Sequence, residues 1–474
     1  MNNKATTSRR RLLQISALTG GATLLSLLAA CAPAAAPTAP PSATKAAAPA
    51  AAPTAADKAA TPAAGAAPAK APVEIIYQHR DSAVEDFVRK TFAPRFTQET
   101  GIKVTIQEIP SAEIWTKLPI LASAGQLGDA LFAYVYPYQQ IFAAKNMIRP
   151  IDDYVKADNY DLSVFYKGVI DAGRFQGKLL GLPNTGHHGA VNIHYNKDMF
   201  AEAGVTLPDA KFPADAWKFE DILAAAQKLT KTTGGKTNWG WLPIRNFVPW
   251  GMGNLRSFGS DMLSEDGKTS LAGNDQGKAA YRYYHDLIYK HKVAPSPADI
   301  PGNQMDYFVS GQLAMFQEAV VFITTMENYV KGKFKWGIFP IPAGPGGDRG
   351  TNTNGNTAHV SAQAKQPEAA WQFLKYISSQ EAGVTKLLMG SGSPGARPDV
   401  YQDKKVTDAY PWYTVGHKVM SEAKPPRVPA NVRISEIMSA VPQVEDQIWL
   451  NKVGPEEGAV LVQKTIQDIL NQPQ

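Results

Sequence analysis

Residues 73–106 read VEIIYQHRDSAVEDFVRKTFAPRFTQETGIKVTI, and the change of period inside this stretch sets the fold class. Val73–Tyr77 is a short run of β-favouring residues. Ser82 and Glu85 have the spacing of a capping box, and Val84, Phe87, Val88 and Phe92 then recur with helical period. Pro94 brings no amide hydrogen to the helix, so a kink or break is expected there. Thr100-Gly101 reads as a helix stop, and Ile102–Ile106 alternates as a second strand. The stretch is a βαβ unit.

Toward the C-terminus the alternation continues. Ala130–Ala133 reads as a strand, helices are expected at 219–230, 276–291, 367–380 and 456–471, and no internal repeat of fixed period is found. The body from residue 73 onward has 402 residues, above the size at which one hydrophobic core stops growing, so two lobes are expected. Mixed α/β lobes of this kind have sheets whose strand ends form a crevice for a ligand.

Toward the N-terminus the composition changes abruptly. Of the 41 residues from Ala32 to Pro72, 22 are Ala and 9 are Pro, with no aromatic residue and no Val, Ile, Leu or Met. Such a segment cannot bury enough surface to offset its ordering entropy and is read as a disordered tether, 32–72. Before it stands Cys31, the only cysteine of the chain, so no disulfide framework supports the body. Lys4, Arg9, Arg10 and Arg11 precede an apolar stretch from Ile15 to Ala30 that is too short to span a bilayer, which describes an export signal over residues 1–31. Leu28-Ala29-Ala30-Cys31 resembles the lipobox of bacterial lipoproteins, in which the cysteine is acylated. Ser8–Gln14 also resembles a twin-arginine signal, with Leu12 and Gln14 departing from the preferred residues. The resemblance implies a protein held to the cell membrane by lipid on Cys31 and facing the extracytoplasmic side. Signal and tether together carry the whole formal charge of +6. The body is neutral and gives no reason to expect nucleic acid as a partner.

Within the body a second resemblance becomes specific. Gly177–Pro183 (GKLLGLP) followed by Ile193–Val205 (IHYNKDMFAEAGV) is similar to the corresponding segment of family 1 extracellular solute-binding proteins of ABC importers, the group that contains the maltose-binding proteins. Phe96–Val104, Gly128-Asp129, Phe308–Met315, Trp336–Pro342, Lys365–Ile377 and Ser393-Pro394 match in the same order. The resemblance implies a two-lobed periplasmic-binding α/β fold with a hinge between lobes and a ligand cleft. Lobe 1 would comprise 73–186 and 357–390, and lobe 2 would comprise 187–356 and 391–474. It also implies a monomer that captures a small solute, a sugar or oligosaccharide, by hinge closure and delivers it to a membrane permease, without cofactor or metal. Two departures stand out. Where the family often has a Gly-x-Trp pair this chain reads Glu318-Ala319-Val320-Val321, and Thr351–Asn356 resembles the family's return crossing without a fixed register.

Candidate ligand-binding residues follow from position. His79, Arg80 and Asp81 follow the first strand at its C-terminal end, and Tyr134 and Tyr136 follow the strand after Asp129. Trp239, Trp241 and Trp250 lie amid Gly and Pro, where a helical core face is not expected, so they are candidates to stack on a ligand. Glu318 matches a ligand-contacting turn of the family, and Arg397 in Ser391–Arg397 matches a loop returning to the cleft, where a bidentate donor suits vicinal hydroxyls. Enzyme readings fail on the residues. Gly235-Lys236-Thr237 lacks the earlier P-loop glycine, and no G-x-S-x-G elbow or HExxH exists. His187, His188 and His194 have no thiolate partners. Tyr283-Tyr284 resembles the paired tyrosines of ferric-binding proteins, yet Tyr284, Leu287 and Ile288 suit a helical core face. The same fold with a polyamine or a phosphorylated polyol, and a secreted carbohydrate-active enzyme, stand as alternatives.

Overall fold

The βαβ unit forms as its period implies, and the rest of the architecture grows from it. The computed structural model describes residues 72–82, 86–184, 190–208, 217–247, 251–390 and 392–473, so the capping box, Cys31 and the tether fall outside the described residues. In chain order the strands are β1 (Glu74–Arg80), β2 (Lys103–Ile109), β3 (Ala130–Tyr134), β4 (Arg174–Phe175), β5 (Lys178–Leu179), β6 (Leu182–Pro183), β7 (Val191–Asn196), β8 (Lys231–Thr233), β9 (Lys236–Asn238), β10 (Met315–Ala319), β11 (Trp336–Pro340) and β12 (Asn356–Val360). β1 pairs in parallel with β2 from Glu74↔Lys103 to Arg80↔Ile109, and with β3 on its other side. The helix between β1 and β2 continues through Pro94. A π-helical turn at Val88–Phe92, with the Ala93 amide donating to Val88 O, precedes the proline, which then occupies the first turn of Ala93–Thr100 where no amide is needed. Gly101 ends this helix at φ 74°, as its sequence implies.

Two main sheets result. The first has the order β2-β1-β3-β12-β6, with β12 antiparallel to β3 and β6. The second is β10-β7-β11, antiparallel throughout. Gly128-Asp129 ties the first sheet together. A Cβ at Gly128 would lie 2.7 Å from Ile76 O, so only glycine fits. The Asp129 carboxylate accepts from Ile76 N at 2.9 Å, Lys365 N at 2.7 Å and Gln366 N at 2.9 Å, joining β1 to the start of helix Pro367–Ile377. The expected helix 367–380 stops at Ile377, because Ser379 caps a new helix, Gln380–Leu388, through Ala382 N.

Each sheet has its own apolar packing. Tyr77, Phe96, Phe132 and Phe373 lie in the first core, which extends to Phe316, Trp336 and Ile338 on one face of the second sheet. The other face sends Ile193, Tyr195, Met315 and Phe339 into a second core with Tyr281, Tyr284, Trp449 and Ile466. Fully burying a side chain of this size contributes about 1.5–3 kcal/mol. Helices Asp275–Tyr289, Ile434–Trp449 and Pro455–Leu470 supply much of that second core. The chain leaves the first sheet after β6 to enter β7, and returns from β11 to β12 through residues 341–355. Among the described residues no helix is long and apolar enough to cross a membrane.

Candidate functional site

The Trp- and Pro-rich stretch 238–247 (NWGWLPIRNF) is laid down as an extra extended segment rather than a loop. Trp239 and Leu242 bridge in parallel to Leu313 and Phe316, with Leu242 N donating to Met315 O at 2.9 Å and Gln317 N to Leu242 O at 3.0 Å. Gly240 permits this course, since a Cβ there would lie 2.2 Å from Ala226 O. Past Leu242 the segment leaves the sheet and lines a cavity of about 450 Å³. Pro243, Ile244, Arg245 and Asn246 form one side of it, Gln304, Glu318, Ala319 and Phe322 another, and Asn352 and Asn354 of the return crossing complete it. The volume falls in the range of small-molecule sites.

Electrostatically the lining centres on Glu318, at the end of β10. Its Oε1 accepts from Ala319 N at 2.8 Å and its Oε2 from Gln304 Nε2 at 2.9 Å. Burial raises the carboxyl above the usual carboxylate range, against the pull of these two hydrogen bonds. Arg245 turns elsewhere: Nη1 donates to Pro295 O at 3.0 Å, and Asp446 and Asp299 offset the lowering that burial imposes. Asn354 is held by the backbone of Tyr136, accepting from its N at 3.2 Å and donating to its O at 3.3 Å. This pair ties the cavity wall to the chain just after β3.

At the C-terminal ends of β1 and β3 stands an aromatic group. Trp115, in the first turn of helix Ile114–Ser123, stacks on Tyr138 at 3.7 Å between centroids and 8° between planes, and its ring lies 5.1 Å from that of Tyr134. All three rings are half-buried. The Arg80 guanidinium sits 5.1 Å from the Tyr134 ring and 5.3 Å from Phe132. Flat partly exposed rings of this kind suit the C–H face of a sugar.

A second cavity of about 530 Å³ lies among Arg256, Asp261, Asp348, Lys424 and Arg427. Its charges are spent on one another, with Arg256 paired to Asp261 at 2.8 Å, Arg427 to Asp261 at 3.3 Å and Lys424 to Asp348. The first cavity keeps its carboxylate without an ion pair among the described residues, and is the candidate site.

Comparison with known proteins bears on the whole body. Residues 78–384 match the model of the bacterial extracellular solute-binding protein family. This chain belongs to that family. The solute-binding protein is 27% identical over 263 residues to an arabinooligosaccharide-binding protein of Bacillus subtilis, covering 55% of this chain and 58% of that one. It is 23% identical over 365 residues to the maltodextrin-binding protein of the same organism, covering 75% and 78%. Its fold is the two-lobed α/β fold of solved relatives. An ABC substrate-binding protein of Listeria monocytogenes in complex with cycloalternan superposes with a TM-score of 0.71 at 23% identity, over 84% of this chain and 98% of that one.

Of the residues singled out from the sequence of this solute-binding protein, Glu318 lines the cavity, and Arg80 and Tyr134 belong to the aromatic group. The others are placed differently. His79 is buried beside Tyr77, with Nδ1 2.6 Å from Arg80 O, because strand alternation turns it inward. Asp81 is exposed and accepts from Ser111 N at 2.6 Å. Tyr136 packs its ring into the second core, where burial and the charge of Asp261 push its phenol pKa up. Trp241 is buried in that core too, and Trp239 edges a separate cavity of about 220 Å³ with Lys236 and Tyr307. Trp250, His187 and His188 lie outside the described residues. Arg397 forks onto Asp399 through Nε at 3.0 Å and Nη2 at 2.6 Å and is not among the residues that line the cavity. Trp115, Tyr138, Gln304, Asn352 and Asn354 were not singled out. The Asn-rich run 352–356 was the one available signal, since buried amides in a connection need partners or a ligand.

Proposed function

We propose that the protein captures a saccharide between its two lobes, with the amide and carboxylate cavity around Glu318 binding hydroxyls and the Trp115–Tyr138 group covering an apolar sugar face. The observation that carries this reading is the Glu318 carboxylate, without an ion pair among the described residues, in a cavity whose Asn354 is hydrogen-bonded to the backbone of Tyr136, just before Tyr138 of that aromatic group. Lobe 1 would take 73–186 and 357–390, and lobe 2 would take 187–356 and 391–474. Closure is favoured because only the closed state lets one ligand touch both. The named relatives bind arabinooligosaccharide and maltodextrin, which places oligosaccharides first among the solutes to test. Lipid on Cys31 and the Ala/Pro tether would hold the receptor close to its ABC permease, raising its effective concentration there. The solute leaves unchanged, since no step of this cycle breaks a bond.

A thermal-shift panel of arabino- and malto-oligosaccharides, spermidine and glycerol 3-phosphate on the full chain tests this. A saccharide at 100 times its dissociation constant should stabilise the fold by about 2.7 kcal/mol. A response only to spermidine or only to glycerol 3-phosphate would replace the saccharide reading, and chemical change in a recovered saccharide would replace the receptor reading. Cys31→Ser should release the protein from membranes, and retention there would remove the lipid anchor.

A further inference from the structure

Gln317 and Glu318 are neighbours on β10, and strand alternation sends them to opposite faces. Glu318 lines the cavity, whereas Gln317 is buried behind it. The parallel ladder between the 239–242 segment and β10 runs from Leu242 N to Met315 O and from Gln317 N to Leu242 O. Its next bond would join Ile244 N to Gln317 O. The side chain of Gln317 takes that place instead: Oε1 accepts from Ile244 N at 2.7 Å, and Gln317 O is left to Gln304 Nε2 at 3.4 Å. Asn254, on the helix Met252–Arg256, closes a ring. Its Nδ2 donates to Ile244 O at 2.8 Å and its Oδ1 accepts from Gln317 Nε2 at 3.2 Å. Both polar groups of the Ile244 backbone are thus held by two buried amides that also hold each other. At the other end of the wall Phe247 N donates to Glu445 at 3.2 and 3.1 Å, and Tyr281 OH donates to the same carboxylate at 2.7 Å.

A side-chain amide reaches farther from β10 than the carbonyl it replaces, so the segment stands off the strand that carries Glu318. We propose that Gln317 and Asn254 are positioning residues for the bound saccharide: without lining the cavity, they hold the Pro243–Asn246 wall at the spacing from Glu318 that the ligand needs. This rests on the saccharide reading of the cavity and adds residues that act on it through the wall.

The test compares the full wild-type chain with Gln317→Met, Asn254→Leu and the double variant by titration calorimetry with maltose, maltotriose and arabinotriose. Both replacements keep the approximate size of the side chain and remove its amide. Each single variant should weaken binding about tenfold, the size of one misplaced hydrogen bond to the ligand. The double variant should stay close to the singles and well short of about a hundredfold, because the wall is released only once. A merely structural role would lower the fraction of chains that bind and leave the dissociation constant of that fraction unmoved. That outcome, or a double variant as weak as the product of the singles, overturns the inference and leaves the saccharide reading standing. Should Gln317→Met or Asn254→Leu fail to fold, Asn254→Ser, which removes only the donor to Ile244 O, decides by the same split between dissociation constant and binding fraction. Hydrogen exchange on the wild type checks the ring itself: the Ile244 amide should be strongly protected, and exchange at the rate of an exposed loop amide overturns the inference. Binding of none of the saccharides by the wild type overturns the saccharide reading and the inference with it.

Discussion

The two main sheets present different chemistry at their edges. At the strand ends of the first sheet stand Trp115, Tyr134 and Tyr138 with Arg80 against the rings, while the cavity by the second sheet has Glu318, Gln304, Asn352 and Asn354 and, among the described residues, one aromatic residue, Phe322. An aromatic wall gains from any flat apolar face and discriminates little, whereas a wall of buried amides and a carboxylate loses heavily when a partner is missing. Affinity should therefore come from both walls and selectivity from the second. The largest effect expected from breaking this contrast is at Glu318. Glu318→Ala should weaken saccharide binding about 100-fold by calorimetry, as loss of hydrogen bonds to a charged group implies. The unliganded melting temperature should hold or rise, because a desolvated carboxylate disappears.

The sheets differ in the same way at their buried histidines. His359 on β12 has Nδ1 2.9 Å from Leu180 O and Nε2 2.7 Å from Thr357 Oγ1, whereas neither ring nitrogen of His194 on β7 has a partner among the described residues. Burial lowers His359 to about 4, with the Leu180 carbonyl opposing, and lowers His194 to about 3. Both rings are thus neutral when folded. Stability is full above the unfolded histidine value of about 6.5 and is lost as pH falls toward the folded values, because the unfolded chain takes up protons that the folded sheets refuse. Denaturant melts at pH 7 and pH 5 should show each histidine contributing about 2 kcal/mol to that loss over the interval. His359→Leu should cost about 1–3 kcal/mol at pH 7 by orphaning its partners, and His194→Leu much less. Equal costs would erase the contrast.

On the aromatic side, Trp115→Ala should weaken binding about tenfold, the scale of a lost stacking contact with its buried area. The effect should be similar for different saccharides, while the Glu318 effect varies among them. A Trp115 effect that sorts saccharides more sharply than Glu318 does would reverse the assignment of selectivity.

The layer type of this fold is legible because period is a local property. The switch at 73–106 needs no tertiary information, and helices expected at 219–230, 276–291 and 456–471 form at Phe219–Leu229, Asp275–Tyr289 and Pro455–Leu470. The site is less legible because it depends on which way a strand faces. In the extended run 239–242 alternation sends Trp241 into the core, so tryptophans expected at a ligand give way to the polar residues that follow them. Trp115 was hidden in helix Ile114–Ser123, whose internal Pro119 disguises its period. Asn352 and Asn354 have the composition of a turn, and only their burial reveals them as wall residues. Glu318 was legible through resemblance to the family.

The smallest effect is expected at Arg397. Its guanidinium forks onto Asp399 at the start of helix Pro398–Tyr401 and lies 5.5 Å from the Phe165 ring, so its donors are used inside its own neighbourhood. Arg397 is 15% exposed and Asp399 38%, which puts the pair at the modest end of ion-pair energies. Arg397→Ala should lower stability by about 1 kcal/mol or less, with coupling to Asp399→Ala of that size in a double-mutant cycle. Ligand affinity should not move, in contrast to Trp115 and Glu318. A tenfold loss of affinity at unchanged melting temperature would mean that Arg397 releases Asp399 when ligand arrives, and the polar wall would then have to include the loop before this helix.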